Sequence, residues 1–137
     1  MGDARLSLER EAPQGFDVLV VDAFTSDAIP VHLLTKEALA VYGKHLKPDG
    51  VLAVHVSNQY IDLAPVVVAA ARESGKAARL VDNKSNPENA VDESHWVVVA
   101  PSDEFFSGSD FSGAKELASS PASAWTDDYS NLWRALK

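Results

Sequence analysis

The stretch FDVLVVDAF, residues 16–24, decides the fold. It follows the turn-forming residues Pro13, Gln14 and Gly15, and it is rich in valine. Short apolar runs bounded by turn signals are typical of strands that are buried on both faces in a parallel sheet. We therefore expect a buried strand with Asp22 at its carboxyl end.

The rest of the chain alternates between helix and strand patterns. Thr35 is a suitable N-cap for one helix, and Asp62 can cap a second helix that Gly75 ends. This alternation predicts an α/β fold with a mostly parallel sheet and covering helices. No helix separates the last two strands, so the last strand is expected to insert antiparallel. The expected helices cover residues 35–46 and 62–74, and the expected strands cover residues 16–24, 50–58, 76–83 and 94–102.

Charge and composition narrow the class of function. The 137 residues include 12 Lys and Arg against 20 Asp and Glu, which gives a formal net charge of −8. A net negative charge disfavours nucleic acid as a partner and suits a small cationic substrate. The alternative is that the charge only keeps the protein soluble. Cysteine is missing and the four histidines lack the spacing of a metal site, so no metal is expected. Neither a membrane-spanning stretch nor a signal peptide is visible, and we expect a soluble, cytoplasmic protein.

Three stretches together resemble one family. They are GDARLSLE (residues 2–9), FDVLVVDAFTSDAIPVHLLT (16–35) and LKPDGVLAVHVSN (46–58), and all three are similar to the second half of spermidine synthase-like proteins. WTDDYSNL (125–132) resembles a C-terminal element of bacterial members. The resemblance implies a Rossmann-like fold of the class I S-adenosylmethionine-dependent methyltransferase type. It also implies that residues 1–137 form one domain, the C-terminal half of such an enzyme, without the N-terminal glycine-rich cofactor half.

The resemblance implies a role for several residues. Asp22 matches the aspartate that accepts a proton from the attacking amine, and Asp3 with Ala4 matches the motif that contacts the adenine of the cofactor. Asp27 is the nearest match to a second acid that holds the cationic substrate. The family's synthases place that acid three residues after the first, whereas Asp27 follows Asp22 by five. The different spacing keeps methyl transfer to another nucleophile open.

A second group of candidates lies near the C-terminus. Asp127 and Asp128 are adjacent acids beside Tyr129. They are candidates for a substrate-binding cation site in which Tyr129 offers an aromatic face. The alternative is that Thr126 or Asp127 caps a terminal helix.

Polar residues at the end of the second expected strand are further candidates. His55 lies mid-strand among apolar neighbours and is interpreted as a satisfied core histidine. Ser57 and Asn58 end the strand, where they are candidates for the floor of a substrate pocket. Asp22 itself has an alternative role, because an aspartate at a strand end also caps turns.

The sequence therefore predicts an aminopropyltransferase. It would use decarboxylated S-adenosylmethionine and a polyamine such as putrescine, with Asp22 as general base. Two alternatives remain. One is a methyltransferase that uses S-adenosylmethionine, and the other is a non-catalytic half-domain that acts as an assembly module. The strand at residues 16–24 lacks the neighbour it has in the family, so its free edge predicts a homodimer.

Overall fold

The computed structural model describes residues 3–22, 29–58, 61–90, 92–117, 123–131 and 135–136. This part of the chain contains three α-helices and four β-strands, connected by loops and short 3-10 turns. In chain order the elements are α1 (Ala4–Arg10), β1 (Phe16–Val21), α2 (Lys36–Lys44), β2 (Leu46–His55), α3 (Ala64–Glu73), β3 (Ala77–Asn83) and β4 (Ser94–Ala100).

The four strands form one mixed sheet in the order β1-β2-β4-β3. β1 pairs with β2 in parallel, and β4 runs antiparallel to both β2 and β3. Three strands therefore share one direction, and the last strand in the sequence lies reversed between two of them. This confirms the predicted α/β fold, with its mostly parallel sheet and antiparallel last strand. The carboxyl ends of β1, β2 and β3 lie at one edge of the sheet, together with the start of β4.

The helix boundaries follow from local capping. The Thr35 hydroxyl accepts the Ala38 N–H at 3.2 Å and begins α2, as predicted. The prediction that Asp62 caps α3 is wrong: α3 begins at Ala64 with Leu63 as its N-cap and no side-chain cap, although Asp62 accepts the Ala64 N–H at 3.3 Å. Gly75, with a φ of +71°, lies just beyond the end of α3, where its conformation is available to glycine at little cost. α1 was not predicted from the sequence.

The hydrophobic core lies between the helices and one face of the sheet. α2 and α3 contact each other and also pack on the strands. Leu52 and Val54 of β2 are buried in this layer, whereas the alternating residues Ala53 and His55 are only half-buried. Trp125 is 2% exposed and packs into the same core, and its carbonyl accepts a backbone N–H from the start of α2. The core therefore fixes the segment that carries the C-terminal candidates.

The prediction that β1 is buried on both faces is wrong in this chain. Val18 is 58% exposed and Val20 is 55% exposed, while Leu19 and Val21 contact the core. β1 is an edge strand of the described sheet, and only its other face packs against the hydrophobic core. A valine-rich pattern indicates that a strand favours burial, but it does not show which chain segment covers it.

β2 begins four residues earlier than predicted, at Leu46 instead of Gly50. The pairing with β1 shifts between Phe16 and Val18. A Cβ atom on Gly50 would lie 2.9 Å from the Phe16 carbonyl oxygen, closer than real Cβ contacts allow. The glycine thus permits the close approach of the two strands.

Candidate functional site

Asp22 lies where the sequence analysis placed it, immediately after β1. Its Oδ1 atom is 2.8 Å from Nδ1 of His55, the last residue of β2. The side chain of Asp22 is 55% exposed, so it is more open to water than a buried strand end would be. No hydrogen bond is formed by Oδ2 with the residues that the structure describes. One carboxylate oxygen is therefore held by His55, and the other accepts no hydrogen bond from the described residues.

His55 is itself fixed on two sides. Its Nε2 atom is 2.8 Å from the Ser57 hydroxyl oxygen, which also accepts the His95 backbone N–H at 2.7 Å. The imidazole stacks on Trp96 with 4.8 Å between ring centroids and 28° between planes. The sequence interpretation of His55 as a core histidine missed its contact with Asp22. That contact depends on the strand register, which pairs Val21 with Val54 and so brings the next residue of each strand together.

Most of the other candidates meet at a separate cavity of about 720 Å³. Asp3, Asp127, Asp128 and Tyr129 all line it, although they come from opposite ends of the chain. Its described lining includes neither Ala4, the first residue of α1, nor Asp22. The remaining candidate, Asp27, lies outside the described residues.

Arg5 binds several of the groups that surround this cavity, and no role was predicted for it from the sequence. The residue is only 9% exposed. Its guanidinium donates to both carboxylate oxygens of Asp127, at 2.7 and 2.6 Å, and to the His32 carbonyl at 2.7 Å. It also donates to Glu9 at 2.8 Å and to the hydroxyl of Thr35 at 3.2 Å. The sequence signal for Arg5 was the arginine of the quoted Gly-Asp-Ala-Arg motif, but its partner Asp127 could not be identified from the sequence.

The ion pair sets the charge state of Asp127. Hydrogen bonding from Arg5 lowers the pKa of the Asp127 carboxyl to about 2, with a smaller contribution from the Thr35 hydroxyl. The same contact raises the pKa of Arg5. Asp127 does not cap a terminal helix: backbone hydrogen bonds between Thr126 and Tyr129 close a turn around it. Asp127 therefore joins the C-terminal segment to α1.

Asp3 has a local structural role as well. Its carboxylate caps α1 by accepting the Leu6 N–H at 3.1 Å, and its other oxygen contacts Nε2 of His32. The Leu6 N–H is the main cause of a lowered pKa at Asp3. Each oxygen therefore already accepts one hydrogen bond and keeps a second lone pair, which is what an adenine amino group would need.

Negative charge dominates the cavity. Four carboxylates (Asp3, Glu9, Asp127 and Asp128) and one guanidinium line it. Among the described residues, no group of three or more histidine, cysteine or acidic side chains is arranged to hold a metal ion. Within the same ranges, no helix has the length and apolar character to cross a membrane.

Comparison with known proteins identifies the fold. The sequence matches no protein-family model and no curated protein. A crystal structure described as "a probable spermidine synthase" from Corynebacterium glutamicum is similar, with a TM-score of 0.60 and 20% identity over 96% of this chain and 54% of that one. MNMC2 from Aquifex aeolicus is similar with a TM-score of 0.53 and 18% identity, over 73% of this chain and 28% of that one.

These similarities show a Rossmann-like α/β fold of the class I methyltransferase type. They extend to the fold alone, because both identities are low. The chain spans about half the length of the first structure and less than a third of the second. The site residues are therefore the basis for assigning an activity.

Proposed function

We propose that this chain is part of a cytoplasmic aminopropyltransferase. It would transfer the aminopropyl group of decarboxylated S-adenosylmethionine to a polyamine such as putrescine. The observation that carries the proposal is the Asp22 carboxylate, which lies at the carboxyl end of a parallel strand, is 55% exposed, and is held through Oδ1 alone among the described residues. In open α/β sheets, ligands bind outside the carboxyl ends of the strands.

Asp22 would act as the general base. Its Oδ2 accepts a proton from the substrate amine, whose nitrogen then has a lone pair to attack the carbon beside the sulfonium. The new N–C bond forms as the C–S bond breaks, and the electron pair of that bond neutralises the sulfur. The leaving group is the neutral thioether 5′-methylthioadenosine. Asp3 would accept the adenine amino group, with Ala4 beside it at the start of α1.

The acidic cavity supports a cationic substrate. Arg5 neutralises Asp127, so Asp128 and the 54% exposed Tyr129 are the groups best able to contact an ammonium ion. We include Asp27 in the same binding role because the family resemblance implies it, and Asp127 because it adjoins Asp128 in the lining of the cavity. The negative potential of the cavity would attract a substrate with two or more positive charges more strongly than a singly charged one.

Two alternatives have observations in their favour. The five-residue spacing between Asp22 and Asp27 favours transfer of a methyl group from S-adenosylmethionine. The exposed valines of β1 favour a half-domain whose role is assembly. Both alternatives keep the observed fold and differ from the first proposal in the ligand that binds.

Calorimetric titration separates the three functions. We expect decarboxylated S-adenosylmethionine and 5′-methylthioadenosine to bind at least about tenfold more tightly than S-adenosylmethionine, because the acidic cavity repels its carboxylate. Tighter binding of S-adenosylmethionine would instead favour methyl transfer. If none of the three ligands produced heat, both enzymatic functions would be excluded and the assembly role would remain.

We also propose that β1 pairs with β1 of a second copy. Its outer edge has no strand beside it among the described residues, and Val18 and Val20 are exposed on one face. An unpaired apolar edge favours strand pairing, and a two-fold axis makes such an edge complementary to itself. Sedimentation should show a dimer of the 14.7 kDa chain, and Val18→Lys combined with Val20→Lys should convert it to a monomer.

A control substitution should leave the dimer intact. Leu136 is 51% exposed but lies outside the sheet, so Leu136→Lys makes the same chemical change away from β1. A wild-type monomer at micromolar concentration, or a dimer that survives both valine substitutions, would show that β1 is not the interface.

A further inference from the structure

Asp22, His55 and Ser57 form a continuous hydrogen-bonded line at the carboxyl edge of the sheet. Oδ1 of Asp22 is 2.8 Å from Nδ1 of His55, and Nε2 of the same ring is 2.8 Å from the Ser57 hydroxyl. The line continues into the backbone, because the Ser57 oxygen accepts the His95 N–H. Three side chains from the ends of two neighbouring strands are therefore linked in a fixed sequence.

The proton positions along this line follow from the donors and acceptors. A neutral imidazole with its proton on Nε2 would turn the lone pair of Nδ1 toward the Asp22 carboxylate, which is repulsive. A ring with its proton on Nδ1 donates to Asp22 and accepts the Ser57 O–H at Nε2. A fully protonated ring also donates to Asp22. Nδ1 thus carries a proton in each permitted state, and Oδ1 of Asp22 is always engaged.

Ser57 lies two residues beyond the end of β2, and its hydroxyl is bound to the backbone of β4. The Val56 N–H donates to the His95 carbonyl, and the His95 N–H donates to the Ser57 hydroxyl in place of a ladder carbonyl. The hydroxyl oxygen is therefore held by a backbone group of β4. The hydrogen bond to Ser57 and the stacking on Trp96 together hold the imidazole of His55 in one orientation.

We propose that His55 is a positioning residue for Asp22. It holds Oδ1 through a proton on Nδ1, so that Oδ2 alone is presented to the incoming amine in a fixed direction. The kinetic part of this inference rests on the proposed function, in which Asp22 is the base. The tautomer is a property of the chain itself and does not depend on any substrate.

Nitrogen-15 NMR of the histidine rings tests the proton position directly. Neutral His55 should show a protonated Nδ1 and an unprotonated Nε2. His45 is an internal reference, because its Nε2 contacts the Leu8 carbonyl at 2.7 Å and must carry the proton there. In the Asp22→Ala variant the proton of His55 should move to Nε2. A wild-type His55 that already carries its proton on Nε2 would overturn the proposal, with or without measurable turnover.

Steady-state kinetics tests the positioning role. His55→Gln should lower kcat by about 10-fold to 100-fold, the usual loss when the partner that orients an active group is removed. KM for the amine should stay within about twofold, since His55 does not touch the substrate. His55→Asn should retain more activity, because its amide can donate from near the place of Nδ1.

His95→Gln is the matched control. The His95 side chain pairs with Asp82 at the far end of the same edge, and the substitution keeps its backbone N–H. The control should leave kcat unchanged, whereas equal kcat in wild type and His55→Gln would overturn the positioning role. If the wild-type protein turned over no amine while His55 carried its proton on Nδ1, the proposed function would fail and the structural assignment would stand.

Discussion

Replacing Asp22 by asparagine is expected to lower the rate of aminopropyl transfer by about 100-fold to 10,000-fold, the usual contribution of a positioned general base. An amide cannot accept the amine proton, although it has nearly the same shape. Its oxygen can still accept the His55 Nδ1–H, and the side chain is 55% exposed, so the fold should be unaffected. The measurement is the transfer of labelled aminopropyl groups to putrescine, with circular dichroism as the check on folding.

Asp17→Asn is the control on the same strand. Asp17 lies near the opposite end of β1, is 78% exposed, and pairs with Lys47 at 2.8 Å. The substitution removes the same charge from the same element without touching the carboxyl edge. We expect wild-type rates for this variant. Comparable rates in the Asp22→Asn variant would remove Asp22 from the mechanism.

Replacing Asp127 by asparagine is expected to lower the free energy of unfolding by about 2 kcal/mol at neutral pH. Breaking a buried ion pair costs about 3–5 kcal/mol, and water reduces this figure here because the side chain of Asp127 is 42% exposed. Arg5 has only 11% of its side chain exposed and would lose its strongest partner. Urea unfolding at pH 7 measures the difference, and Asp128→Asn is the control because it removes an equal charge from the next residue.

The stability difference should depend on pH in a defined direction. The pKa of Asp127 is about 2 in the folded chain, against an ordinary value of 3.8. Because folding lowers this pKa, the stabilisation is fully present above about pH 4 and is lost as the pH falls through about 2. The wild-type and Asp127→Asn curves should therefore converge between these values. A constant gap across this range would mean that the ion pair does not provide the stability.

The sequence predicted the four strands and two of the three described helices, and the reasons are local. Short apolar runs bounded by turn signals identified all four strands, and Thr35 and Gly75 bounded helices through capping chemistry. The antiparallel last strand followed from the lack of a helix before it. The early start of β2 was missed because it depends on the distance between Gly50 and the Phe16 carbonyl, which is a contact between two strands.

The site was predicted in part. Placing Asp22 at a strand end needed only the pattern of one segment, whereas its contact with His55 needed the register of two strands. Arg5 and Asp127 are 122 residues apart in the chain, and no local pattern links them. Individual acidic candidates were therefore visible in the sequence, but the basic partners that hold them became visible only in the fold.

The reversed strand between β2 and β3 also affects synthesis on the ribosome. β1 and β2 can pair as soon as both have emerged, but β3 has no neighbour in the sheet until β4 has followed it. During that interval the β3 segment has no hydrogen-bonded strand beside it, and α3 is the element that it can pack against. Translation proceeds at about 5–20 residues per second, so the interval lasts on the order of a second. A nascent chain that is arrested when β3 has emerged but residue 94 has not should therefore bind holdase chaperones more strongly than one that is arrested after residue 100 has emerged.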